Sequence, residues 1–236
     1  MIDKKDFGRI PVSEIFYSIQ GEGKFAGHPS VFVRVGGCNL RCPGFGEMGC
    51  DSYYAVDKAY KNEWKLMSVE EIEKEISKYL KFKPHLVITG GEPMLYFKEL
   101  YPLIERFDNL ITIETNATID VDFEKYPKYK DVVFAMSVKL SNSGEDYKKR
   151  VKKEIIKSYA LNAKKSFFKF VVDRDLKEEI DDVVGNLKNE IYCMPLGASK
   201  EELERNAPLV LEFCLENGYC YSDRIHIRLF GKKKGV

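Results

Sequence analysis

The chain has 236 residues, 44% of them apolar, enough for one well-filled core and within the range where barrels and open α/β sheets run as a single domain. Lys and Arg number 38 against 37 Asp and Glu, so the formal charge of +1 gives no global pull toward nucleic acid or acidic membranes and points to a small-molecule partner. The opening MIDKKDFGRI lacks the apolar core of a signal peptide and no apolar run reaches the roughly 20 residues of a spanning helix, so a soluble cytoplasmic protein with no membrane partner is expected.

In chain order, SVFVRV reads as a strand that ends just before a Gly-rich, cysteine-bearing stretch. SVEEIEKEISKYLKF opens with Ser68 as N-cap and sets Val69, Ile72, Ile76 and Leu80 at helical spacing, with charges on the other face. HLVIT follows as a buried strand, then a turn and a helix beginning near Leu95. LITIE, VVFAMSV, SFFKFVV and EIYCM repeat the strand signal, separated by helical stretches such as DLKEEIDDVVGNLKNE and KEELERNAPLVLEFCLENG. RIHIRLFG reads as a last strand. Alternating strands and helices predict a parallel sheet, and in such folds ligands gather at the carboxyl ends of the strands. No repeat, low-complexity tract or Pro-, Gly- or Ser-rich linker marks a boundary, so one domain over 1–236 is expected.

Six cysteines in a reducing compartment are not expected to form a disulfide framework, so metal ligation, reactivity or burial must explain them. Cys38, Cys42 and Cys50 fall in GGCNLRCPGFGEMGCDS, where one loop can gather three thiolates. A four-iron cluster held by three thiolates leaves one iron open to a further ligand. From this loop alone, that cluster, a zinc site completed by a residue such as His28, and three unrelated buried thiols all stay open. Cys193, Cys214 and Cys220 read as buried thiols, and GKKKGV as a solvated tail.

Thr89, Gly90, Gly91, Glu92 and Pro93 stand where the chain leaves the strand HLVIT. The two glycines let a ligand approach the backbone, and bare N–H and C=O groups beside a carboxylate suit a zwitterionic amino-acid group. Standing alone, the segment is as well explained by a tight turn.

The order of cysteine loop, TGGEP and ETNAT resembles the radical S-adenosylmethionine (SAM) superfamily. More narrowly, EIFYSIQGEG, FVRVGGCNLRC, CDS, VITGGEP, IETNAT, SVKLS, MPLGAS and RIHIRLFG are similar to the 7-carboxy-7-deazaguanine synthases along nearly the whole chain. Two departures stand out. Seven residues separate Cys42 from Cys50 where that family usually has two, and Ala117 occupies the place of a glycine in ETNGT.

The resemblance implies an α/β fold, an incomplete TIM-like barrel of the radical SAM type, with the cluster loop at 36–52. It implies a [4Fe-4S] cluster on Cys38, Cys42 and Cys50, and SAM on its open iron. An electron from a flavodoxin or ferredoxin then cleaves the sulfonium, and the 5′-deoxyadenosyl radical takes hydrogen from C6 of 6-carboxy-5,6,7,8-tetrahydropterin. The ring contracts, with loss of ammonia, to 7-carboxy-7-deazaguanine, a queuosine-type precursor. By the same resemblance Gly49, Cys50, Asp51, Gly91, Glu92, Ser137, Val138 and Lys139 serve SAM. Ile19, Gln20, Gly21, Glu22, Arg34, Thr89 and His226 contact the pterin, and Glu114 is the catalytic candidate. Ser52, in place of a threonine, offers a hydroxyl to Mg²⁺, its alternative being a serine that caps the turn. For Arg34 the alternative is an internal salt bridge. A homodimer is implied, without direct contact to nucleic acid. Two competing functions are another small radical SAM enzyme, such as a glycyl-radical activase, and a non-catalytic zinc-binding module.

Overall fold

The computed structural model describes residues 8–45, 49–231, 233 and 235. Most of the opening segment, residues 46–48 of the cysteine loop and part of the GKKKGV tail lie outside the described residues.

Among the described residues nine strands form one sheet in the order β3-β1-β2-β4-β5-β6-β7-β8-β9. They are β1 (Ile10–Ile19), β2 (Pro29–Val35), β3 (Lys65–Met67), β4 (His85–Gly90), β5 (Ile111–Thr115), β6 (Val133–Met136), β7 (Lys165–Val172), β8 (Ile191–Pro195) and β9 (Cys220–Tyr221). β2 and β4 through β9 run parallel, whereas β1 pairs antiparallel with both β2 and β3. β3 and β9 stay at the two edges, so the sheet curls without closing, as an incomplete barrel does. Apart from RIHIRLFG, the predicted strands are all present. β1, β3 and β9 were not predicted.

The helices are α1 (Tyr53–Val56), α2 (Val69–Ser77), α3 (Phe97–Arg106), α4 (Tyr147–Arg150), α5 (Lys153–Asn162), α6 (Lys177–Val184), α7 (Lys200–Asn217) and α8 (Ile225–Phe230). α2 begins where the capping box predicts: Glu71 N–H donates to Ser68 Oγ at 3.3 Å, and Ser68 N–H to the Glu71 carboxylate at 2.7 Å. Val69, Ile72 and Ile76 are buried, but α2 stops at Ser77, and Leu80 lies exposed in a short 3₁₀ turn.

Two expectations fail at the end of the chain. RIHIRLFG forms α8, not a strand: Ile225, Ile227 and Leu229 alternate like a half-buried strand, and so short a run carries no distinction between the two periods. Here β9 already occupies the β8 edge, and the Ile225 N–H donates to Gly21 O at 3.0 Å, which turns the chain across the strand ends. Cys220 is exposed, because it lies on a two-residue edge strand, whereas Cys193 and Cys214 are buried as expected.

Side chains alternate across the sheet. Val31, Val33, Val35, Leu86, Ile88, Ile111, Ile113, Phe168 and Phe170 face the helices and join the main core. Their neighbours face the barrel interior. Val133, Ala135 and Phe167, packed with Phe25 and Tyr192, form a second, smaller core on that side. At that end the buried His85 ring is 2.8 Å from Thr112 Oγ1 and 3.4 Å from Ser30 Oγ. Toward the carboxyl ends the same alternation turns polar with Arg34, Thr89, Glu114 and Lys169.

Candidate active site

Those polar residues line an open cavity at the carboxyl ends of the strands, where the cysteine loop also arrives. Its polar wall is built by register. A bulge in β1 between Val12 and Glu14 brings Glu14 directly opposite Arg34 on β2, and Arg34 in turn lies level with Thr89 on β4. Arg34 Nε donates to Glu14 at 2.7 Å and Nη1 to Ser52 Oγ at 3.0 Å, with the guanidinium flanked by the Phe16 and Tyr54 rings. Arg34 thus has the internal salt bridge and also lines the cavity.

Beside it lies a second charged group. Lys169 Nζ donates to Glu22 at 2.9 Å and to Glu114 at 2.8 Å, and Thr89 Oγ1 donates to the other Glu114 oxygen at 2.8 Å. Arg224 Nε donates to Glu22 at 2.8 Å and Nη1 to Gly197 O at 2.6 Å, while Nη2 pairs with Asp51. Burial opposes charge on Glu22, Glu114 and Asp51, but the cations prevail. Lys169 and Arg224 hold Glu22 well below the carboxylate range, Lys169 lowers Glu114, and Arg224 brings Asp51 to about 2. All three are ionised at neutral pH. His226 Nε2 is 3.9 Å from Glu22, and burial lowers its pKa, so the ring is neutral. Gly21 makes room for that ring, since a Cβ there would overlap Nδ1.

The cysteine loop is pinned from both sides. Gly90, with φ +125°, and Gly91 end β4 so close to the loop that a Cβ on Gly91 would overlap the Gly37 carbonyl. The Gly91 N–H donates to Val35 O at 3.0 Å and the Glu92 N–H to Gly37 O at 2.8 Å. Farther along, Glu145 accepts from the Cys42 N–H at 2.9 Å, and the Gly44 N–H donates to Ser143 O at 2.9 Å. Cys42 itself has φ +51°.

Residues 32–188 match the radical SAM superfamily. A 7-carboxy-7-deazaguanine synthase from Rhodopirellula baltica is 35% identical, over 95% of this chain and 88% of its own. The chain belongs to the 7-carboxy-7-deazaguanine synthase family of radical SAM proteins. A synthase from Halobacterium salinarum is 33% identical over 94% of this chain and 90% of its own. The crystal structure of QueE from Escherichia coli has the same fold, with a TM-score of 0.69 over 92% of this chain and 95% of that one at 23% identity.

Most of the residues picked out in the sequence by resemblance to the synthases meet in this cavity: Ile19, Gln20, Gly21, Glu22, Arg34, Thr89, Glu114 and His226, together with Cys38, Cys42, Cys50, Asp51, Ser52, Gly91, Ser137 and Lys139. Three do not. Glu92 is fully buried behind the wall, where its carboxylate accepts from Thr115 Oγ1 at 2.7 Å, the Asn116 N–H at 2.7 Å and the Met94 N–H at 3.0 Å. Those three bonds leave it a brace for the turn and not a wall of the cavity. Val138 packs in the main core, because the chain there alternates faces. Gly49 borders a neighbouring cleft with Arg41, Pro43 and Cys50.

The three thiols fit an iron–sulfur cluster. All are free and line one cavity, and burial pushes Cys38 to about 11 and raises Cys42 and Cys50 as well, so three bare thiolates need cationic iron to balance them. Among the described residues no group of three or more His, Cys, Asp or Glu is gathered to hold a single metal ion. His28, the candidate fourth zinc ligand, precedes β2 while Cys38 follows it, about 20 Å away along the strand. For Mg²⁺, Ser52 stands at the N-cap of α1 but makes no side-chain cap bond, so the capping alternative fails. Its oxygen accepts from Arg34 and keeps a second lone pair for a cation.

Four residues of the site escaped the sequence reading. Lys169 was legible as a lone cation in the apolar strand SFFKFVV. Arg224 is the first residue of the RIHIRLFG motif that carries His226. Asn116, whose Nδ2 is 3.9 Å from Cys38 Sγ and 2.9 Å from Asn39 Oδ1, lay inside the quoted ETNAT. Glu145 carries no local signal, since only the fold brings it under the loop.

Proposed function

We propose that this chain converts 6-carboxy-5,6,7,8-tetrahydropterin to 7-carboxy-7-deazaguanine with loss of ammonia, as a carbon–nitrogen lyase of queuosine-type 7-deazapurine biosynthesis. One observation carries the reading: three free thiols and an ionised, hydrogen-bonded polar wall share one cavity, in a chain 35% identical to a named 7-carboxy-7-deazaguanine synthase. When bound, a [4Fe-4S] cluster and SAM supply the one-electron chemistry that removes hydrogen from the substrate.

The chain's own residues bind, orient and exclude. Cys38, Cys42 and Cys50 hold the cluster, and Asp51, Gly91, Ser137 and Lys139 border the SAM side, with Gly49, Glu92 and Val138 acting from behind it. Ile19, Gln20, Gly21 and Glu22 take the pterin edge, since carboxylate and amide acceptors match its amino and ring N–H donors. Arg34 faces the substrate carboxylate, and Thr89 and His226 complete the wall. Glu114 is the catalytic candidate, ionised and reaching into the cavity. Ser52 is one oxygen ligand of Mg²⁺, with substrate and water completing the shell.

The whole chain, 1–236, acts as one radical SAM domain with its loop at 36–52, as a homodimer supplied with electrons by a flavodoxin or ferredoxin. No described helix is long and apolar enough to cross a membrane. Anaerobic incubation with 6-carboxytetrahydropterin, SAM and a reductant should yield 7-carboxy-7-deazaguanine by mass spectrometry. SAM cleavage that leaves the pterin intact would refute the assignment and favour another radical SAM activity, such as that of a glycyl-radical activase.

A further inference from the structure

Lys169 on β7 has none of the roles proposed for the other residues of the cavity, and the role inferred for it rests on the pterin reading of that cavity. Its side chain is only 4% exposed and touches two carboxylates from distant parts of the chain, Glu22 after β1 at 2.9 Å and Glu114 on β5 at 2.8 Å. Stability alone gives no reason for it, because apolar residues of similar volume commonly serve a barrel interior as well as a buried ion pair does. The neighbours of Lys169 along the inner face of β7, Phe167 and Val171, are apolar. The place it occupies is a wall of the substrate cavity.

The other charged groups around the pair are distributed unevenly. Arg224 reaches Glu22 at 2.8 Å and also binds Asp51, and His226 stands 3.9 Å from Glu22. Gln20 Nε2, at 3.4 Å, and Thr89 Oγ1, at 2.8 Å, are neutral donors to Glu114. His85 senses Glu114 from deeper in the barrel and stays neutral, while Arg34 is paired with Glu14. Among the described residues Lys169 is the cation that contacts both carboxylates. Two carboxylates brought to one site cannot both stay ionised without such a charge between them, and one takes up a proton instead. A protonated carboxyl turns one acceptor into a donor and opposes a ligand edge made of donors.

We propose that Lys169 is a positioning residue for substrate recognition, whose ammonium holds Glu22 and Glu114 side by side as two acceptors for the amino and ring N–H donors of a 2-amino-4-oxo pteridine. It touches both glutamates and acts on the ligand through them. The consequence is a pH signature that a purely structural lysine lacks.

The test uses the cluster-loaded protein and pterin-6-carboxylate, an oxidised and unreactive ligand with the same edge. Its Kd is measured for wild type and Lys169→Met from about pH 5.5 to 8.5. The ratio of the two values cancels the titration of the ligand itself. At neutral pH the variant should bind about 10- to 100-fold more weakly, with wild-type iron content, and the ratio should shrink as pH rises and the shared proton leaves. Lys169→Arg, which restores the cation, should recover most of the loss. An iron-loaded Lys169→Met protein that binds within about twofold of wild type, or more weakly by a factor independent of pH, overturns the proposal. Should Lys169→Met not fold, the charge-balanced Lys169→Met/Glu22→Gln protein replaces it. There a single carboxylate remains with no partner to share a proton, so its ratio to wild type should be flat with pH, and a steep ratio overturns the proposal. Wild type that binds no pterin at all instead overturns the reading of the cavity.

Discussion

Gly91→Ala tests the contact that ties the GGEP turn to the cysteine loop. The new Cβ would overlap Gly37 O and the Gly37 carbonyl carbon and lie 3.1 Å from Cys38 N. All three atoms are backbone, so no side chain can swing away. Ordinary contact requires the loop start or the β4 end to move by more than about 1 Å. Overpacking of this kind costs about 1–3 kcal/mol of stability. The larger effect falls on chemistry: Gly37 immediately precedes Cys38, and a displacement near 1 Å in a reacting geometry lowers rate by about 100-fold. Iron and sulfide content, SAM affinity and turnover measured on the same preparation should all fall, with turnover falling most. Gly218→Ala is the control. That residue caps α7 in the left-handed region at φ +68° with nothing within 4 Å of a Cβ, so it should cost about 1 kcal/mol of stability and leave the cluster intact. A Gly91→Ala protein with wild-type cluster content and turnover within about twofold would refute the view that this contact sets the loop.

Replacing Cys38, Cys42 or Cys50 by Ala should remove most of the iron and all turnover, while Cys193, Cys214 and Cys220 tolerate Ala with iron content unchanged; full iron in Cys50→Ala would contradict the ligand set. Ser52→Ala should blunt the response of turnover to added Mg²⁺ while Ser52→Thr keeps it, and the melting temperature should change little because Ser52 makes no cap bond and loses only its bond from Arg34. Arg34→Lys should weaken pterin binding by more than its retained charge suggests, since an ammonium cannot span Glu14 and Ser52 as the planar fork does; unchanged affinity would leave Arg34 with a structural role. His85, lowered from 6.5 to about 4 by burial, should make stability pH-dependent. The unfolded chain binds the proton first, so stability is whole above about pH 6.5 and is lost by up to about 3 kcal/mol as pH falls toward 4. Denaturation midpoints of wild type and His85→Gln across that window should converge at low pH, and parallel curves would refute it.

Ala117 shows how a departure visible in the sequence takes on physical meaning in the fold. The residue after Asn116 is fully buried with φ +55°, a conformation that favours glycine. The sequence marks the departure; the dihedral says that it carries backbone strain beside the cluster loop. For Arg34 the resemblance pointed to a substrate carboxylate and physical reasoning to an internal pair. The β1 bulge brings Glu14 opposite Arg34 and forms the internal pair, while Arg34 also lines the cavity. His226 lines the cavity from a helix and not from the expected strand, because alternating apolar residues in so short a run suit either element.

What the sequence determined by itself was whatever local chemistry and period can encode. The parallel strands follow from apolar runs bounded by turns and the start of α2 from its capping box, whereas three thiols in one Gly-rich stretch leave a cluster, a zinc site and plain burial open until TGGEP and ETNAT are set beside them. What only the tertiary structure decided was which charges meet. Lys169, Glu22, Glu114, Arg224 and Asp51 come from five separated segments and are joined because strand register and the crossing of α8 bring their side chains to the same end of one barrel. No pattern within any one segment encodes that pairing, since the attraction acts through space and its strength is set by the burial that folding creates.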